Sequence, residues 1–234
     1  MEWTTEILRQ QLLSLAEPAY QQFSAALIPG CDNLLGVRLP ALRRLAAEIT
    51  RSDWRAFLDG QEMAWQEEIM VRGMVIGKAK MPLSERLERI SGFVPLIQNW
   101  SVCDSFCVSL TAAKKDQAVF YEFLQPFFQS EDVYAVRFGV VMLLDWFIND
   151  AYIDRVLSLL GNVRHSDYYV VMAVGWAISV AFVSYPEKAL VLLERRDTLD
   201  SEVRRKAIQK IRESKRVSPA DKEMLRQRFG GQSR

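Results

Sequence analysis

Apolar positions recur at helical spacing along nearly the whole chain. Ile7, Leu8, Leu12, Leu13 and Leu15 stand among polar residues over 4–16, the three-and-four spacing of an amphipathic helix. Pro18 suits the first turn of a second, short helix through Tyr20, Phe23 and Leu27. Residues 29–33 have loop composition. Pro40 opens a helix carrying Leu42, Leu45, Ala46 and Ile49, and Asp53 caps a short one with Trp54 and Phe57. A longer helix is expected over 62–79, with Trp65, Ile69, Met70, Val75 and Ile76. Its Gly73 and Gly77, four apart, leave room for a neighbouring helix to approach. Ser84 starts the next, with Leu87, Ile90 and Val94 inward, ending near Pro95 and Asn99.

The pattern then continues to the C-terminal end. Asn99 is placed to cap a helix beginning at Trp100. Helices follow over 116–129, where Pro126 kinks or ends the run, over 132–148, interrupted by Arg137, over 150–160, and over 166–183. The final three, at about 187–195, 201–214 and 219–228, are heavily charged, and the last opens with a capping box at Ser218–Asp221. No alternating strand or Asn-Gly hairpin is apparent. The expectation is an all-α fold, a curved α-solenoid of HEAT-like helical repeats. It would form a single domain over 1–234, with a basic helical cap from about residue 195.

Composition changes this picture little. Of 234 residues, 50% are hydrophobic, enough for an extensive core. Lys and Arg number 30 against 29 acids, a formal charge of +1, so the total gives no bulk argument for nucleic acid. The distribution is uneven: Arg195 to Arg234 holds 13 basic and 6 acidic residues. Arg204, Arg205, Lys206, Lys210, Arg212, Lys215 and Arg216 therefore read either as phosphate contacts or as the solvated cap of a solenoid. Three cysteines and one histidine suit a reducing cytosol and supply no ligand set, so neither metal nor cofactor is expected. The N-terminus lacks a signal-peptide pattern, and the apolar stretch Tyr168–Tyr185 reads as a buried helix rather than a membrane span. A cytoplasmic monomer with no membrane association is the expectation.

Trp100 and Asp104 carry the candidate chemistry. Four residues apart on a helix, they lie on one face. An indole face and a carboxylate together suit a cationic group, one by its quadrupole and the other by its charge. A first-turn acid favoured by the helix dipole and a core tryptophan would produce the same pair.

Four landmarks, in order, carry a family resemblance. They are Gly36 to Arg43 (Gly-Val-Arg-Leu-Pro-Ala-Leu-Arg), Asn99 to Asp104 with its tryptophan and aspartate, Arg137 in Tyr134–Arg137, and Gly175-Trp176 within Ala173–Ala177. Together they resemble the AlkD-type DNA alkylation-repair proteins with HEAT-like repeats, over about residues 20–215. The resemblance implies double-stranded, alkylated DNA as partner and hydrolysis of the N-glycosidic bond of cationic N3- and N7-alkylated purines. It implies Asp104, Trp100 and Trp176 as catalytic residues. Arg137, Arg38, Arg43 and Tyr134 join Lys206 and Lys210 as candidate DNA contacts. Met172 and Ser179 depart from the basic residues that active relatives tend to carry there. A non-catalytic DNA-binding relative recognising branched or damaged DNA, and a protein-interaction scaffold, are the rival classes.

Overall fold

The computed structural model describes residues 2–60, 63–195 and 197–230. It is all-helical, with no strand among the described residues. Fourteen α-helices are described: α1 Thr5–Ser14, α2 Pro18–Leu27, α3 Leu39–Ile49, α4 Trp54–Asp59, α5 Gln66–Lys78, α6 Leu83–Phe93, α7 Trp100–Ser109, α8 Gln117–Leu124, α9 Val133–Trp146, α10 Ile153–Asn162, α11 Tyr168–Ser184, α12 Pro186–Glu194, α13 Ser201–Glu213 and α14 Pro219–Phe229. Short connections join successive helices in the repeat-like packing of an α-solenoid. The chain divides into two compact units, Met1–Phe123 and Leu124–Arg234.

In the first unit, α5 is the centre. It packs against α3 and α7, with α1, α4 and α6 also against it. The two glycines expected to admit a neighbour do so: a Cβ on Gly73 would meet Phe93 at 2.8 Å and Phe106 at 3.1 Å, and one on Gly77 would run into Ser109. Phe93 and Phe106 meet there with ring centroids 4.4 Å apart. In the second unit α11 takes the central place, against α9, α10, α12 and α13. At Gly175 the backbone of α13 comes so close that a Cβ would lie 3.0 Å from the Ala207 nitrogen and the Lys206 Cβ.

Caps set most helix ends where the sequence places them. Asp53, Asn99, Asp132 and Ser218 each accept a first-turn backbone N–H, satisfying donors a helix start leaves open. Several boundaries differ; the helix expected over 150–160, for one, runs Ile153–Asn162. The helix expected over 62–79 begins at Gln66, with Trp65 as its N-cap, and Glu62 lies outside the described residues. α6 begins at Leu83 after Pro82, one residue before Ser84. Pro126 ends α8 at Leu124, and Gln125–Gln129 tightens into a 3-10 turn, because the proline ring cannot continue an α-helix.

Helix C-termini are closed from a distance by arginines. Arg86 donates to the carbonyls of Ile76, Gly77 and Ala79 at the end of α5. Arg204 donates to the carbonyls of Leu193 (2.9 Å), in the last turn of α12, and of Arg195 (3.1 Å) and Leu199 (3.0 Å) beyond it. Arg204 is buried, which corrects its reading as a phosphate contact: its Nε and Nη2 are turned inward to three backbone carbonyls.

Candidate functional site

The short helix α7 is nearly all interior. Val102, Cys103, Ser105, Phe106, Cys107 and Ser109 are buried, whereas Trp100, Ser101, Asp104 and Val108 form its one partly exposed strip. Trp100 and Asp104 therefore share a face, as the spacing requires. The indole N–H of Trp100 donates to the Leu27 carbonyl at 3.0 Å, which fixes the ring against the end of α2. Asn99 holds the start of the helix. Its Oδ1 accepts from the Ser101 and Val102 amides, both at 3.1 Å, and its Nδ2 donates to Gln66 Oε1 at 2.8 Å.

Three consecutive buried polar residues at the start of α5 organise the surroundings, and nothing in the sequence reading singled them out. Gln66 Oε1 accepts from both Asn99 and the Cys31 thiol, and burial pushes that thiol's pKa up. The Glu67 carboxylate accepts from the Leu35, Gly36 and Val37 amides at 2.7–3.2 Å. Glu68 pairs with Arg9 at 2.8 Å and accepts from the Ala64 and Trp65 amides. Gly36 is required in the loop Glu67 holds. Its φ is +85°, and a Cβ there would stand 2.7 Å from Gln21 and from the Glu17 carbonyl. The signal available was two acids in the first turn of an otherwise apolar helix, which the macrodipole explains equally well.

Of the N-terminal basic residues, Arg38 is exposed but engaged. It forms a two-pronged pair with Glu17 at 2.9–3.0 Å and lies 4.6 Å from the Tyr20 ring centroid. That pair holds the Glu17 carboxyl below its ordinary pKa. Arg43 is exposed on α3, and its carbonyl accepts from Lys78 Nζ at 3.5 Å.

The second unit gathers several candidates along α11. Arg137 is buried, and its Nη1 donates to the Tyr169 carbonyl at 2.7 Å. In that position it braces the start of α11, and touching a DNA backbone would require it to leave. The Tyr134 ring stands 5.9 Å from Tyr169, and Lys206 Nζ 5.7 Å from the Tyr168 centroid. Sequence reasoning missed Tyr168 and Tyr169, although two adjacent tyrosines opening a very apolar helix were visible. Farther along α11, half-buried Trp176 lines a hollow of about 310 Å³ with Ser179, Val180, Lys210 and Arg216. Ser179 donates back to the Trp176 carbonyl at 2.7 Å. Lys210 pairs with Glu213 at 3.1 Å, and together with Gln209 it holds that carboxyl below its ordinary pKa.

Thus Tyr134 and Arg137 on α9 and Lys206 on α13 come together around the start of α11, and Trp176 and Lys210 stand farther along α11 and α13. Trp100 and Asp104 lie in the first unit, as do Arg38 and Arg43. Among the described residues no cluster of three His, Cys, Asp or Glu side chains could hold a metal ion. No described helix is long and apolar enough to cross a membrane. The profile of a family described as DNA alkylation repair enzyme matches residues 8–211. No curated protein matches the sequence.

Proposed function

The chain belongs to the DNA alkylation repair enzyme family, and from that premise we propose that it is a monofunctional DNA glycosylase for cationic N3- and N7-alkylated purines. The observation that carries the reading is the partly exposed strip of α7: an oriented indole and a carboxylate one turn apart on a helix otherwise given to the core. A cationic base is already a good leaving group. The glycosidic bond breaks with its electron pair going to the ring, which departs as a neutral alkylpurine. Water adds at the sugar carbon and loses a proton, leaving an abasic site. Asp104 stabilises the oxocarbenium charge that develops on the sugar and orients that water. Trp100 offers a ring face to the cationic nucleotide, and Trp176, in the second unit, is a further proposed aromatic contact to the DNA.

Lys206, Lys210, Arg38, Arg43 and Tyr134 are the proposed contacts to the DNA backbone, with Arg137 a positioning residue behind Tyr169. In this reading the protein acts on DNA as a cytoplasmic monomer. Basic side chains are missing at 172 and 179, but Lys210 and Arg216 stand beside Trp176 from α13 and the segment after it.

Purified protein incubated with duplex DNA methylated by dimethyl sulfate tests the proposal. Release of free 7-methylguanine or 3-methyladenine is the expected result. Retention of the DNA in a gel shift with no base released would leave a non-catalytic DNA-binding relative. No DNA binding even at low salt would leave a protein scaffold.

A further inference from the structure

The catalytic reading gives no part to the most exposed aromatic of α11. Tyr168 is 60% exposed, yet its surroundings are well fixed. Tyr169 meets it edge-on with centroids 5.5 Å apart. Beneath them the Asp167 carboxylate accepts from the Tyr169 amide at 2.7 Å, and Arg137 donates to the Tyr169 carbonyl at 2.7 Å. Tyr168, Tyr169, Met172, Trp176, Val180 and Val183 are the positions over 168–183 left partly exposed, and helical geometry gathers them on one side. α13 runs beside this side, brought close by Gly175, and sets Lys206 over Tyr168 and Lys210 into the Trp176 hollow. Two aromatic rings, each with its own lysine, thus stand along one helix, eight residues and about 12 Å apart.

We propose that this edge of the second unit binds an unpaired stretch of DNA, with a base stacked on Tyr168 and the adjoining phosphates on Lys206 and Lys210. The inference rests on the DNA-binding part of the reading above and deepens it by naming the DNA feature recognised. In a regular duplex both faces of every base are covered by neighbours, so an exposed ring has nothing to stack on. Once a base loses its neighbour or partner, its face becomes available to an aromatic side chain, and a nearby ammonium tracks the backbone. A duplex-backbone site needs the lysines alone and gives no use to an outward tyrosine beside one of them.

The test measures fluorescence anisotropy with three labelled probes: a twelve-nucleotide DNA single strand, a duplex with a two-nucleotide gap, and the same duplex intact. Tyr168→Ala is expected to weaken binding to the single strand and the gapped duplex by roughly 5- to 100-fold, the loss of one stacked base. It should leave intact-duplex binding and the salt slope unchanged, since no charge is removed. Tyr168→Phe should restore the loss, and circular dichroism melts should match wild type. Equal weakening on all three probes, no weakening on any, or failure of Phe to restore it would overturn the proposal. So would tighter binding of an RNA strand of the same sequence. Wild type that binds none of the probes defeats the DNA reading itself. Wild type that binds and processes the intact duplex but shows no Tyr168-dependent gain on the gap defeats only this inference.

Discussion

Replacing Asn99 by Ala removes three hydrogen bonds at the start of the helix that carries Trp100 and Asp104. Loss of an Asn N-cap costs about 1 kcal/mol, within a range of roughly 0.5–2. The bond from Nδ2 to Gln66 adds about 0.5–1.5 kcal/mol, since Gln66 Oε1 keeps only the Cys31 thiol as donor. The sum, roughly 1–3.5 kcal/mol, corresponds to a fall in Tm of about 2–14 °C for a chain of this size. Asn99→Asp separates the two parts. It keeps the acceptor for Ser101 and Val102, and the Gln66 amide can turn its own NH2 toward the new carboxylate. Its loss should be the smaller. Scanning calorimetry gives both melting temperatures, and amide hydrogen exchange at Ser101 and Val102 should speed up in Asn99→Ala alone. Base release assayed below both melting temperatures should fall with Asn99→Ala, because the first turn positions the indole and the carboxylate. An Ala variant within about 2 °C of wild type, or an Asp variant as damaged as Ala, would refute the capping argument.

Other consequences follow from the same geometry. Glu67→Ala leaves the Leu35, Gly36 and Val37 amides without their acceptor. At about 1–3 kcal/mol for each buried orphan, the loss should be at least 3 kcal/mol in a urea melt. The Glu85 carboxyl is held down to about 2 from its ordinary 4.5, first by the Arg55 hydrogen bonds and then by Arg89. Its folded-state pKa is lowered, so its stabilising contribution is present above about pH 4.5 and is lost as pH falls toward 2. Glu85→Gln should therefore differ from wild type at neutral pH and converge with it near pH 2, in melts followed by circular dichroism. Lys206→Gln with Lys210→Gln should weaken binding to every duplex sequence alike and lower the log–log salt slope by about 1.8. An unchanged slope would make those helices a solvated cap.

The sequence made the helices legible because their determinants are local. The apolar spacing, the caps at Asp53, Asn99 and Ser218, and the room above Gly73 and Gly77 all depend on residues a few positions apart. Features that depend on distant partners did not show. Arg204 reads as one more basic residue in a charged run, and only the fold sets orphan carbonyls of Leu193 and Leu199 within its reach. Glu67 and Glu68 read as first-turn acids, and only the fold brings the 35–37 loop and Arg9 onto them. α2 reads as a short helix through Tyr20, Phe23 and Leu27, yet it has no buried residue and is held by polar contacts to the 34–38 segment and Trp100. At the candidate site the Trp100–Asp104 spacing was plain, whereas the Tyr168–Lys206 contact joins helices about forty residues apart in the chain.

Release of 7-methylguanine from methylated duplex DNA by wild type and by Asp104→Asn, under single-turnover conditions, tests the central claim most directly. The substitution keeps the shape of the side chain and removes its charge, and a matching melt shows that the fold is intact. Wild type should release the base, and Asp104→Asn should bind the same DNA while releasing essentially none. Full release by Asp104→Asn, or none by wild type, would contradict the account.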